Sequence, residues 1–236
     1  MKTTYDLMVP WLREVRPVSY DFIDRGWENP SLVRLAANEH PTVPTREVLR
    51  ALHRGARHAN RYPDSLKSLR ALIGEVSGGF GPEWVLLGNG SNEILDMTFR
   101  SFLQPGDEII QSVPCYGGYA VRCRVSGATP RSIPARDDFA YDVEALERAV
   151  SPRGKIMVLS NPNYPTGRVV ERSVFERLAG CPLLLICDEA YIDYAGAARS
   201  MISLLESHPN MLISRTLSKA YGLAGMRFGY AIGHPD

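Results

Sequence analysis

Along most of the chain, apolar residues fall into two patterns, the three-to-four-residue step of a helix and the short unbroken run of a buried strand. From about Thr45 the two alternate. Thr45, after Pro44, caps a helical run through Val48, Leu49 and Leu52, and Ser65 opens another through Leu66, Leu69, Leu72 and Ile73. Residues 84–87 read as a short strand and 91–103 as a helix ended by the Pro105-Gly106 turn. Strands at 108–113, 128–133, 155–160 and 183–187 then alternate with helices at 116–125, 143–150 and 174–178, and strands at 211–214 and 228–232 complete the rhythm. Such alternation predicts an α/β domain with a mostly parallel central sheet and flanking helices. Before Thr45 no period emerges, and the segment reads as an irregular arm.

Composition narrows the function. A chain of 236 residues is long enough for one or two domains at about 150 residues each. Lys plus Arg (27) nearly cancel Asp plus Glu (26), leaving +1, so no global field would gather nucleic acid or an anionic membrane surface. No apolar run approaches the ~18 residues of a membrane span. At the N-terminus, Asp6, Pro10, Arg13 and Glu14 interrupt any secretory signal, so a cytoplasmic address is expected. Cys115, Cys123, Cys181 and Cys187 form no C-x-x-C pair and read as buried free thiols. His40, His53, His58, His208 and His234 form no ligand cluster, and no metal site is expected.

Three segments sit where a strand hands over to a loop, the place where open α/β sheets gather ligand groups. In the first, Gly88-Asn89-Gly90-Ser91, free N–H groups at a helix start could hold a phosphate. An ordinary tight turn with Ser91 as cap fits equally, and a third glycine for a dinucleotide fingerprint is missing. The second runs from Leu183 into Asp188-Glu189-Ala190-Tyr191. Burying Asp188 is costly without a cation, and a protonated heterocyclic nitrogen would serve, whereas Glu189 reads as a solvated loop residue. In the third, 214–230, Lys219 sits among Ala220, Leu223 and Ala224, surroundings that lower an amine's pKa toward nucleophilic use.

Together these segments resemble the fold-type-I aminotransferases that use pyridoxal 5′-phosphate, most closely the histidinol-phosphate aminotransferase branch of class I/II. The markers occur in the family's order: Asn38-Glu39, Asn60-Arg61-Tyr62-Pro63, Gly90-Ser91-Asn92-Glu93, Pro114-Cys115-Tyr116, Asn161 through Gly167, Asp188 through Tyr191, and Ser218-Lys219 with Arg227. The resemblance implies the aspartate-aminotransferase-like large domain at 45–236, preceded by an arm at 1–44. It makes Lys219 the cofactor's attachment point and proton carrier, Asp188 the partner of the pyridine nitrogen, and Tyr191 a donor to the phenolic oxygen. Tyr116 would stack on the ring. Gly90, Ser91, Asn92, Thr216, Ser218 and Arg227 would hold the phosphate, joined by Tyr62 from a partner subunit in a homodimer with shared active sites. Read without the resemblance, Tyr62 is a packed turn residue and Tyr116 a core residue.

Two departures stand out. Where the family has an asparagine contacting the phenolic oxygen, this chain has Tyr164, before Pro165-Thr166-Gly167, and its hydroxyl is expected either to replace that donor at the cofactor or to turn out and shape the substrate pocket. The family's C-terminal small domain, which closes on the substrate, is absent from these residues. The expected activity is amino-group transfer between an amino acid or amino phosphate and a 2-oxo acid. Decarboxylation on the same scaffold, as in threonine-phosphate decarboxylases, is the alternative, and a non-catalytic fragment the second.

Overall fold

The computed structural model describes residues 2–15, 19, 21–64 and 66–236. The central strands form where the sequence is most continuously apolar. β1 (Val85–Gly88), β2 (Glu108–Val113), β3 (Thr129–Pro134), β4 (Gly154–Ser160), β5 (Leu184–Asp188), β6 (Met211–Thr216) and β7 (Gly229–Gly233) make one sheet in the order β1-β7-β6-β5-β4-β2-β3. From β3 to β6 every pairing is parallel, while β7 runs antiparallel to both its neighbours. The expected mostly parallel α/β sheet is therefore present.

Helices cover both faces, which is why β4 and β5 are apolar on both sides. Successive residues point to opposite faces. Ile156, Val158 and Ile186 join Leu95, Phe99 and Tyr119 in one cluster, whereas Met157, Leu159, Leu185 and Cys187 join Leu146, Phe175 and Leu178 in the other. The helices are α1 (Asp21–Glu28), α2 (Arg46–Ala56), α3 (Lys67–Val76), α4 (Ser91–Phe102), α5 (Gly118–Val125), α6 (Val143–Arg148), α7 (Arg172–Leu178) and the single turn α8 (Ile192–Ala195). Thr45 does cap α2, its hydroxyl accepting from the Val48 N–H at 3.4 Å. The expected start of α3 at Ser65 lies outside the described residues.

Two expectations are corrected. The segment before Thr45 is not wholly irregular, because it holds α1, with Asp21 and Asp24 in the turn where the helix dipole favours negative charge. A Cβ on Gly26 would stand 3.1 Å from Arg34 Nε, and the Arg34 guanidinium lies 5.2 Å over the Trp27 ring. The eight residues of α1 make about two turns, too few to show a sustained period. The four thiols are free, but only Cys123 and Cys187 are buried, with Cys115 and Cys181 partly exposed. Burial pushes the Cys115 thiol up to about 11 and that of Cys123 up to about 12. Among the described residues no helix is long and apolar enough to cross a membrane.

Phe175 is fully buried between α7 and the sheet. Its truncation, Phe175→Ala, should cost about 3–5 kcal/mol of stability through lost transfer energy and the cavity left behind. Urea unfolding followed by circular dichroism measures it, and a loss below about 1 kcal/mol would contradict this packing.

Candidate active site

β1, β4, β5 and β6 all end at the same edge of the sheet, and the candidate residues follow from there. Asp188 is the last residue of β5 and is buried. Its carboxylate accepts a 2.7 Å hydrogen bond from the Tyr119 hydroxyl and one of 3.2 Å from the Ala190 N–H. Among the described residues no ion pair reaches it. Burial raises its pKa above the usual carboxylate range, opposed by Tyr119, the Ala190 amide, and the fields of Arg122 and Lys219. On neighbouring β6, the buried Ser214 hydroxyl is paired in register with Asp188 and has no hydrogen-bond partner among the described residues.

Glu189 corrects the reading of a solvated residue. It is completely buried, ion-paired to Arg215 at 2.9 Å, and accepts from the Met201 N–H and the Ser200 hydroxyl. The alternation of a strand explains the split, since Asp188 leaves toward Tyr119 and Glu189 toward Met201 on the other side. One of two adjacent carboxylates thus receives a full-charge partner and the other does not.

Lys219 is half-buried, and its ammonium donates to the Ala37 carbonyl at 2.7 Å and lies 5.6 Å from the Tyr191 ring centroid. Burial lowers its pKa and Arg227 lowers it further, while Glu39 and Asp188 pull the other way. The Tyr191 hydroxyl accepts from Asn38 Nδ2 at 3.0 Å, and burial raises its pKa. Thus the N-terminal segment reaches the site through Ala37, Asn38 and Glu39, contributions that sequence reasoning did not assign. Asn38-Glu39 was visible only as a family marker, and Tyr119 only as a tyrosine three residues after Tyr116, which the structure places just before α5.

The start of α4 faces the loop between β6 and β7. Gly90, not Ser91, is the cap residue, with φ +82°, and the Glu93 carboxylate accepts from the Asn89 N–H at 2.6 Å. Arg227 donates to Ala224 O at 2.9 Å and to Asn89 O at 3.4 Å. The φ of +82° favours glycine at Gly90, against which Arg227 Nη2 packs, and a Cβ on Gly229 would collide with the Ser91 nitrogen, so that position requires glycine. The result is a guanidinium beside a helix N-terminus whose first N–H groups have no intrahelical partner. Thr216 and Ser218 lie behind it, their hydroxyl oxygens 2.9 Å apart and the Ser218 N–H donating to Thr216 Oγ1.

Tyr116 is tied to the same helix start, its hydroxyl donating to Asn92 Oδ1 at 3.1 Å. Its ring stands edge-on to Tyr119 at 5.3 Å and to Tyr164 at 6.2 Å. Tyr164 stacks nearly parallel to Tyr191, with centroids 6.1 Å apart and planes at 10°. Lys219, Asp188, Tyr191, Tyr116, Tyr164, Gly90, Ser91, Asn92, Thr216, Ser218 and Arg227 therefore surround one region. Tyr62 does not belong to it within the chain: its side chain is completely exposed, between α2 and α3.

Comparison with known proteins agrees with this geometry. Residues 30–236 match the sequence profile of the family described as aminotransferase class I and II. Over 228 residues the chain is 35% identical to histidinol-phosphate aminotransferase 2 of Nitrosospira multiformis, covering 94% of this chain and 57% of that protein. It is 37% identical over 211 residues to an aromatic amino acid aminotransferase of Cutibacterium acnes, covering 86% and 59%. Among solved structures, histidinol-phosphate aminotransferase from Sinorhizobium meliloti in complex with pyridoxal-5′-phosphate superimposes with a TM-score of 0.86 at 28% identity, covering 97% of this chain and 63% of that one. The chain thus spans less than two thirds of each of these proteins.

The Asp188 environment sets a pH-dependent stability. Its folded-state pKa is raised, so ionised Asp188 destabilises the fold above that value, and the penalty disappears as pH falls toward the ordinary ~3.9. In the cofactor-free chain Asp188→Asn should therefore be the more stable form at about pH 8, with an advantage that shrinks on acidification. Urea midpoints of both forms between about pH 5 and 8 test this, and an amide variant less stable than the parent at the upper end would refute it.

Proposed function

Because the chain belongs to the class I and II aminotransferases, we propose that it carries the cofactor site of a pyridoxal 5′-phosphate-dependent aminotransferase acting on an amino acid or amino phosphate and a 2-oxo acid. In this reading residues 1–44 are an arm and 45–236 the cofactor-binding domain. The observation that carries the proposal is Asp188, a buried carboxylate with no ion pair among the described residues, at the same sheet edge as a lysine of lowered pKa. A protonated pyridine nitrogen is the cation Asp188 lacks. The Arg227 guanidinium, brought against Gly90 at the α4 N-terminus, suits a phosphate dianion.

Bound there, pyridoxal phosphate supplies an electrophilic carbonyl and a ring that takes up electrons. The residues do the rest. Asp188, held by Tyr119, keeps the pyridine nitrogen protonated. Lys219 would anchor the cofactor through its side-chain amine and, once free, would move the proton at the substrate Cα. For that it must leave the Ala37 carbonyl, a neutral acceptor that releases an amine more readily than a carboxylate would. Tyr116 covers the ring face and Tyr191 donates to the phenolic oxygen. Ser91, Asn92, Thr216, Ser218 and Arg227 hold the phosphate across Gly90.

We also assign a homodimer in which Tyr62 reaches the partner's phosphate. The complete exposure of Tyr62 supports this, together with Val33, Leu35 and Val43, which are exposed on the segment that delivers Asn38. Four free thiols suit a reducing, cytoplasmic compartment.

Borohydride reduction of the chain after incubation with pyridoxal phosphate should label Lys219 in peptide maps, and a label elsewhere or none refutes the reading. Removing a charge-assisted hydrogen bond, Arg227→Ala should weaken pyridoxal phosphate binding about tenfold or more while leaving pyridoxal nearly unaffected. For Tyr62→Phe a similar loss is expected at concentrations where sedimentation shows a dimer, and none on dilution to monomer. A loss that survives dilution would place Tyr62 in its own subunit's site.

A further inference from the structure

Two successive residues of the N-terminal segment each engage a side chain of the site. The Ala37 carbonyl accepts from the Lys219 ammonium at 2.7 Å, and Asn38 Nδ2 donates to the Tyr191 hydroxyl at 3.0 Å. Asn38 has a φ of +49°, a left-handed conformation that asparagine tolerates and most side chains do not. The turn is held from both sides. Glu39 pairs with Arg34 at 2.9 Å, and further on the chain lies against Gly222, where a Cβ would stand 3.5 Å from the His40 Cβ and 3.6 Å from the Thr42 carbonyl. Asn38 is itself exposed, but a fixed backbone delivers its amide to a partly buried hydroxyl.

A phenolic hydroxyl has one proton to give and lone pairs with which to accept, whereas an amide nitrogen only donates. With Asn38 on the lone-pair side, the Tyr191 proton is left to point at another acceptor. The incoming bond also polarises the O–H, since hydrogen bonds in a chain strengthen one another. The acidity of Tyr191 follows the same sense: burial raises its pKa, and the Asn38 hydrogen bond opposes the rise. The loop at 161–167 offers no amide in place of Asn38. Asn161 donates to the Arg199 carbonyl and accepts from the Val170 N–H, while Asn163 donates to Thr166 Oγ1 and the Pro114 carbonyl and accepts from the Ser160 hydroxyl. Position 164, where the family's pattern has an asparagine, holds a tyrosine whose ring lies parallel to that of Tyr191.

Resting on the pyridoxal phosphate reading, we propose that Asn38 is a positioning residue, which turns the Tyr191 hydroxyl proton toward the cofactor's phenolic oxygen and strengthens that donor while Tyr164 braces the Tyr191 ring. A donor at the phenolic oxygen draws off charge that otherwise holds the proton shared by that oxygen and the Lys219 nitrogen, so it lowers the pKa of that proton. The N-terminal segment thereby sets the cofactor's titration through Tyr191. The other titratable groups around Tyr191 and Lys219 are Asp188, Tyr116, Tyr164, Glu39 and Arg227, and all of them stay in place when Asn38 is replaced.

Spectral pH titration of the 236-residue chain loaded with pyridoxal phosphate reads that proton without any turnover. Asn38→Gly keeps the left-handed backbone and removes the amide, and it should move the pKa of the visible band upward by about half a pH unit. Tyr191→Phe should raise it by about one unit, and in that background Asn38→Gly should add nothing, because the path runs through the hydroxyl. Asn38→Asp, equal in shape but an acceptor, takes the tyrosine proton for itself and should raise the pKa further with Tyr191 in place than with Phe at that position. An Asn38→Gly titration equal to or below that of the parent, or a shift that persists undiminished in the Tyr191→Phe chain, would overturn the proposal. If Asn38→Gly loses the cofactor, the Asn38→Asp pair decides, and equal shifts in the two backgrounds would overturn it. Borohydride labelling of the same samples separates the two readings: an unlabelled Lys219 in the parent refutes the cofactor assignment and this proposal with it, whereas a labelled Lys219 whose titration ignores Asn38 refutes only the role of Asn38.

Discussion

A carboxylate cut off from water at the end of a central strand, with no ion pair among the described residues, is the constraint around which the site is built. Ionised Asp188 is held by a hydroxyl and an amide instead of a cation, so keeping it there costs the structure stability. Tyr119 can reach it only because α5 packs on that face of the sheet. Tyr119 in turn supports Tyr116, and Tyr116 is tied to the start of α4, where Arg227 closes over Gly90. The proposed ring site and phosphate site are therefore parts of one packed chain of contacts. A group that bridges both, cationic at one end and anionic at the other, satisfies two demands at once.

The neighbouring carboxylate shows what the same strand does when function is not the issue. Glu189 is as deeply buried as Asp188, yet it has Arg215, a backbone amide and a serine hydroxyl. Here a buried charge is matched within the chain. The contrast makes Asp188 informative, since the protein has a cation one residue away in sequence register and sends it to the opposite face.

Much of this was legible in the sequence, and the pattern of what was not has a physical basis. Strands β4 and β5 declare themselves because burial on both faces forces continuous apolar runs, and α4 because its apolar residues keep a helical step. Lys219 and Asp188 stand out because charged residues are costly in apolar surroundings. Glu189 departs from its solvated reading because the sequence does not say what waits on each side of a strand end. Tyr119, Asn38 and Ala37 went unassigned because their contacts span 69, 153 and 182 residues, distances over which local pattern carries no information. The helix α1 escapes notice for a different reason, its eight residues being too few to show a sustained period.

The reversal of β7 explains how Arg227 comes to the site at all. In a sheet running one way throughout, the residues that precede a strand lie at the edge its neighbours start from, here five residues or roughly 16 Å from where they finish. Because β7 runs against β6 and β1, the stretch leading into it arrives among the outgoing ends of the other strands. A short return from Thr216 to Gly229 can then carry lysine and arginine together, within one loop, past the same small volume of space. Turning that single strand around would leave the lysine in place and strand the arginine on the far side of the protein.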